Sequence, residues 1–196
     1  EKNKLYKTKY LSWWRNFTNK IDRKNSVKYK IQNINNQNFQ KFGDLISIKE
    51  KHHEEINKNT TNSFFDLANI QIEGEDKRVR LNIFEAKKRI FPLQINMLEN
   101  HPYSSQIFLP FLKTTFLVLV APIAIRPNLD EIEIFKVSDG DGINFNPKVW
   151  HFPLISLDND KYITVDKKDA KTNIEIYNFD KSDIFELNYE WSNFRY

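Results

Sequence analysis

Apolar and polar residues alternate along this chain in two different rhythms. Near the start, Tyr6, Tyr10, Trp13, Trp14, Phe17 and Ile21 recur at steps of three and four, with Lys and Arg between them. That spacing gathers the apolar groups on one side of a helix and predicts an amphipathic helix over residues 5–22. Residues 23–36 read as a polar connector. From Phe39 onward the period shortens to two. Val79, Leu81 and Ile83 alternate with Arg78, Arg80 and Asn82; Ile132 and Ile134 alternate with Glu131 and Glu133; Trp150, Phe152 and Leu154 form a third series, and Ile163 pairs with Val165. Alternation repeated this often predicts antiparallel strands. The apolar run Thr115–Ile125 is too short to span a bilayer and contains Pro122, so it reads as a buried strand ending at Ala121-Pro122. Asp139-Gly140-Asp141-Gly142 is a strong turn. A barrel built from these strands is expected to be lined by Phe108, Leu117, Leu119, Ile132, Ile134 and Trp150. Phe185, Leu187, Tyr189 and Trp191 continue the alternation as a last strand.

These rhythms divide the chain into a basic arm and connector (1–38), a β-barrel domain (39–180) and a C-terminal extension (181–196). The charge follows the same division. Residues 1–30 hold ten Lys or Arg against Glu1 and Asp22, whereas the whole 196-residue chain is only +4, so the remainder is net acidic. With 14% aromatic and 40% hydrophobic residues a sizeable core is available. The absence of cysteine excludes disulfides, thiolate metal sites and cysteine nucleophiles. The chain starts at Glu1 and its single methionine is Met97, which is the expectation for a processed or trimmed product. No phosphate loop, dinucleotide fingerprint or nucleophile elbow is present.

Three ordered segments carry a family resemblance. The first is Phe42-Gly43-Asp44 with Ile56-Asn57 and Asp66-Leu67-Ala68. The second runs Leu98-Glu99-Asn100-His101-Pro102-Tyr103-Ser104-Ser105-Gln106 to Pro110 and on through Phe116–Pro122. The third runs from Pro127 through Gly142-Ile143-Asn144-Phe145 to Val149-Trp150-His151-Phe152-Pro153-Leu154, followed by Val165-Asp166 and Asn173-Ile174-Glu175. In order and spacing, over about 135 residues, the chain resembles the ureidoglycolate lyases. The resemblance implies an all-β, cupin-like double-stranded β-barrel, here with an N-terminal helical arm. It also implies a usually dimeric state and cleavage of ureidoglycolate to glyoxylate and urea.

That reaction needs a group to hold a carboxylate, a base for the carbinol proton and an acid for the departing urea nitrogen. His151, His101 and Gln106 are the candidate catalytic residues, each with a structural alternative. Asn144, Asp166 and Glu175 are candidates for substrate binding, also open to structural roles. His52 and His53 read as solvated loop residues. Four histidines without a His-x-His pair give no support for a metal site, so no cofactor is expected, with a divalent metal left as the unsupported alternative. Five positions depart from the family. Glu85 stands where an arginine is usual and shares strand parity with Val79, Leu81 and Ile83, so it is expected to face the interior and repel a carboxylate. Phe145 replaces a tyrosine. Ser63 and Phe65 fall in a stretch that is commonly Arg-Tyr-His-Asp, and Glu55 replaces a histidine. Phenyl rings there would fill the pocket.

The departures and the arm together suggest a catalytically degenerate lyase-fold protein serving as a structural subunit of a larger assembly. It would dock through Tyr6, Tyr10, Trp13, Trp14, Phe17 and Ile21 onto other protein subunits. The basic amphipathic start resembles mitochondrial material, so a mitochondrial location is expected, and a cytoplasmic one otherwise. Two alternatives stand beside this reading: an active ureidoglycolate lyase, with a homodimer as its expected form, and an RNA-contacting ribosomal accessory protein. Docking of the arm on a membrane surface is a further option.

Overall fold

The computed structural model describes residues 29–49, 51–169 and 171–190. The arm, with Tyr6, Tyr10, Trp13, Trp14, Phe17 and Ile21, lies outside the described residues, as does Trp191. The regular elements of the remainder are nearly all strands, in the order β1 (Ile31–Asn33), α1 (Asn36–Phe39), β2 (Gly43–Ile46), β3 (Glu54–Ile56), β4 (Thr61–Ser63), β5 (Val79–Ala86), β6 (Leu93–Ile95), β7 (Met97–Asn100), β8 (Gln106–Pro110), β9 (Phe116–Ala121), β10 (Glu133–Val137), β11 (Gly142–Phe145), β12 (Trp150–His151), β13 (Ile155–Ser156), β14 (Asp160–Lys167), β15 (Glu175–Asn178) and β16 (Phe185–Leu187). The single-turn helix α1 is held by a capping box: Asn35 Oδ1 accepts from the Gln37 and Asn38 amides, and Asn38 Oδ1 accepts from the Asn35 amide.

Two sheets face each other in a cupin-like barrel. A seven-stranded sheet runs β1-β10-β9-β12-β7-β15, with β13 also on β9, and a five-stranded sheet runs β2-β11-β8-β14-β5. The space between them is packed by Phe39, Phe42, Phe108, Phe116, Val118, Val120, Phe135, Val137, Ile143, Phe145, Val149 and Tyr162. Two of these rings meet Phe135 edge-on, Phe39 at 5.5 Å and 86° and Phe42 at 5.8 Å and 62°.

Of the residues expected to line the barrel, only Phe108 does so. Leu117, Leu119, Ile132, Ile134 and Trp150 belong to a second core on the other face of the seven-stranded sheet. Period two says which residues share a face but not which face is inside. Here both faces are buried, because the β6–β16 ribbon, Tyr29 and Phe179 cover the outer one. The bounds of the folded body widen for the same reason. Ile31–Asn33 pairs parallel with Ile134–Lys136, and Leu187 is buried in the extension, where β16 pairs with β6.

Strand β5 is inverted relative to its reading from alternation. Val79, Leu81 and Ile83 are 47%, 67% and 56% exposed, while Arg80, Asn82 and Phe84 point inward, with Phe84 reaching the Phe108 ring. The parity assigned to Glu85 is correct, but its face is the outer, exposed one. The facing residues of β14 explain the inversion: Thr164 and Asp166 make this end of the barrel interior polar, and the apolar side of β5 is left outside.

Candidate functional site

The polar end of the barrel interior is built by four strands, β7, β8, β11 and β12, and the turn after β7. Pairing of β7 with β12 sets Glu99 directly opposite His151. His101 follows Glu99 by two residues and comes up on the same side, 5.3 Å from His151 between ring centroids. From the five-stranded sheet, Phe145 stacks on His151 at 4.3 Å and 15°. Its register partner Gln106 is buried beside it. Both histidines are nearly inaccessible.

Hydrogen bonding orients both imidazoles. His101 Nδ1 donates to the Asn173 carbonyl at 2.7 Å, and His151 Nδ1 donates to the Val149 carbonyl at 3.0 Å. A carbonyl can only accept, so the proton of each neutral ring sits on Nδ1 and Nε2 carries the free lone pair. Asn173 is itself fixed, accepting from the Tyr103 amide and donating to Ser104 Oγ, each at 2.8 Å. Among the described residues His101 Nε2, His151 Nε2 and Gln106 Oε1 are buried without a hydrogen-bond partner. Glu99 Oε1 lies 3.7 Å from His151 Nε2. Two lone pairs and a carboxylate thus lie close together, an arrangement that a proton, a water or a cation between them would satisfy.

Burial, aided by the nearby His101, pushes His151 down to about 3, with the Val149 bond opposing. Burial also raises the Glu99 carboxyl, with His101 opposing. At neutral pH His151 is therefore a lone-pair donor. Its linkage to folding has a definite sign. The folded pKa lies below the unfolded value of about 6.5, so the contribution is complete above pH 6.5 and is lost as pH falls toward 3. In chelator-treated protein, acidification through this window should cost the wild type more unfolding free energy than His151→Gln, as read from urea denaturation at a series of pH values. Equal losses would contradict a neutral, buried His151.

Glu99 and Gln106 line a cleft of about 680 Å³ together with Glu85, Arg89, Phe108 and Leu154, and both histidines lie buried behind them. Arg80 also faces this end of the interior, where it grips Asp166 with Nε–Oδ1 at 2.6 Å and Nη2–Oδ2 at 2.8 Å. Asp166 is thus in the barrel but committed to an ion pair. Asn144 and Glu175 are not in the cleft. Asn144 lies on the outer face of β11, where its Nδ2 donates to Asp44 and to the Asn69 carbonyl. Glu175 accepts from Asn100 on the outer side of β7. Of the five departures only Phe145 borders the histidines. Phe65 is 58% exposed, and Glu55 and Ser63 sit in the separate β3–β4 ribbon.

Comparison with known proteins decides the family. A family model described as ureidoglycolate lyase matches residues 26–186. The chain belongs to the ureidoglycolate lyase family. Among curated relatives, the ureidoglycolate lyase of Pseudomonas putida is 32% identical over 160 residues, covering 81% of this chain and 95% of that one. That of Pseudomonas savastanoi pv. phaseolicola is 32% identical over 158 residues, covering 80% and 93%. That of Stutzerimonas stutzeri is 31% identical over 150 residues, covering 76% and 88%.

Within this ureidoglycolate lyase fold, the donor set fits a divalent cation. One ligand atom from each of Glu99, His101 and His151 lies within 4.8 Å of the others, and both histidine atoms are otherwise unpartnered. Imidazole with carboxylate suits zinc, nickel, iron or manganese, and three protein ligands leave positions open. A search for His-x-His misses this set because its first member is a glutamate. The informative signal is Glu99-x-His101 on a strand, where residues two apart share a face. Asn173, which orients His101, has no signature of its own in the sequence.

Proposed function

We propose that this protein is an active lyase that cleaves ureidoglycolate to glyoxylate and urea at the Glu99–His101–His151 cluster. One observation carries the reading: two buried, oriented and otherwise unsatisfied Nε2 lone pairs converge with the Glu99 carboxylate, which itself lines an open cleft. A purely structural core seldom leaves such atoms unpaired. The relatives are ureidoglycolate lyases, and that activity supplies the substrate.

The proton inventory of the reaction is simple. The carbinol oxygen loses a proton and becomes the aldehyde carbonyl; the carbon–nitrogen bond breaks, its electron pair leaves with the urea nitrogen, and that nitrogen gains a proton. One group that takes and returns the proton is sufficient. Glu99 fits this role, because burial raises its carboxyl toward the working range. His101 and His151 would hold a divalent cation through Nε2, with Glu99 beside it left to carry the proton; the cation would supply Lewis acidity at the carbinol oxygen. Gln106 Oε1 offers an acceptor to the ureido N–H groups. The Phe145 face fixes the His151 ring plane and gives this side of the site a dry wall. A degenerate structural subunit would have no use for an oriented cluster of this kind.

The test is urea release from ureidoglycolate by the purified full chain, supplied with divalent metal and corrected for spontaneous breakdown. Turnover at about 1 s⁻¹ or faster, an ordinary enzyme rate, is expected, with loss on chelation. Release at the spontaneous rate under every metal tried would overturn the proposal and restore the non-catalytic reading.

A further inference from the structure

Two arginines reach the cleft end of the barrel. Both guanidinium hydrogen-bonding edges matter for an anionic substrate, and the two arginines differ in what is left free. Arg80 presents its Nε and Nη2 to Asp166 in a bidentate pair, so its fork is already used. Arg89 follows the end of β5, and its backbone amide donates to the Ser156 carbonyl at 2.9 Å. Its Nε lies 3.4 Å from the Leu154 carbonyl. These bonds tie both the main chain and the base of the guanidinium to the segment leading into β13. No carboxylate pairs with Arg89 among the described residues. It is half-buried, whereas its neighbour Lys87 is exposed. Arg89 shares the cleft lining with Glu99 and Gln106.

From this arrangement we infer that Arg89 is the carboxylate-binding and specificity-determining residue of the cleft, taking over the charge that Glu85 does not supply. The inference rests on the lyase reading for its substrate but not for its test. A guanidinium held at Nε keeps its two terminal nitrogens for a planar anion, the geometry in which arginine binds a carboxylate most strongly. Tethering also lowers the side-chain entropy lost on binding. Glu85 sits on the outward face of β5 and opposes Lys161 across the sheet. It lines the same cleft as Arg89 but is exposed to water, which screens its repulsion of a carboxylate bound at Arg89. The acid at the usual arginine position and the arginine four residues later together move the cation from a strand face to the tethered loop.

The experiment compares glycolate with its uncharged analogue glycolamide, titrated calorimetrically into chelator-treated full-length protein. Wild type should prefer glycolate by about 10- to 100-fold, the value of a charge-assisted bidentate contact. Arg89→Ala should lose that preference while binding glycolamide as wild type does. Arg89→Lys should retain an intermediate preference, since it keeps the charge without the fork. Lys87→Ala should change the preference by less than about threefold, as expected for an exposed charge. In turnover, Arg89→Ala should raise KM with little change in kcat. The alanine variant keeps the backbone bond to Ser156, and an unchanged thermal melt certifies its fold. The inference is overturned if Arg89→Ala discriminates like wild type, if wild type shows no preference, or if Lys87→Ala is the variant that loses it. Absent urea release with intact glycolate preference would overturn the lyase reading and leave this one standing.

Discussion

Replacing His151 by alanine lowers urea release to the spontaneous background, a loss of about 10³-fold or more for a residue acting at the reacting centre. His151 is the most constrained member of the site. Its ring is clamped between the Phe145 face and the Val149 carbonyl, which leaves Nε2 aimed at the Glu99 carboxylate. The lone pair at that atom is what the site uses. His151→Gln keeps a polar group of comparable length without an imidazole lone pair and should show the same loss, which separates chemistry from packing. Bound divalent metal, measured by elemental analysis after dialysis, should fall with activity. Glu175→Ala is the contrasting variant. Glu175 bonds Asn100 on the far side of β7, so activity should stay within about twofold. If the Glu175 variant were dead and the His151 variants active, the site would have been assigned to the wrong face of the sheet.

Gly43→Ala should be among the most destabilising single substitutions in the chain, at about 3 kcal/mol or more. Gly43 opens β2 with φ +149°, a backbone state open to glycine but strained for other residues. A Cβ built there would stand 1.8 Å from the Asn144 carbonyl oxygen and 3.1 Å from the Asn146 amide nitrogen, all rigid backbone. Relief requires β2 to part from β11, breaking the Gly43–Phe145 and Asp44–Asn144 register. Phe145 carries the ring stacked on His151, so catalysis should decline along with stability. Gly74→Ala is the control. Its φ of +85° carries a backbone penalty of about 1–2 kcal/mol, but the nearest atom to a new Cβ is the flexible end of Lys167 at 3.7 Å. Equilibrium urea unfolding of both variants should show Gly43→Ala losing clearly more. Equal midpoints would contradict the β2–β11 register.

The degree to which this protein could be read from its residues differs from one feature to the next, and the reasons are physical. Alternation of period two identified the strands, because a side chain's face is a local property of an extended backbone. The ordered motifs identified the family, and Phe116–Ala121 was recognisable as a buried strand because all six of its residues are apolar and buried. The turn at Asp139–Gly142 was equally plain: Asp139 and Gly140 adopt positive φ. Such features depend on neighbours in sequence.

Sidedness and company were decided only by tertiary structure. Leu117 and Leu119 alternate with Phe116 and Val118 as the sequence requires, yet which set faces the barrel depends on what covers the other. Here the β6–β16 ribbon, formed by segments some ninety residues apart, does so. Strand β5 shows the converse: its apolar residues face solvent because Thr164 and Asp166 of β14 claim its polar side. Glu99 could not be recognised as part of the site until β12 brought His151 against it across more than fifty residues. Asn144 and Glu175, chosen for their polarity, turned out to satisfy Asp44, Asn69 and Asn100 on outer faces. The residue types available for chemistry are written in the chain. Which of them share one water-poor volume, with lone pairs left over, depends on long-range packing, because burial and the pairing of distant strands have no local signature.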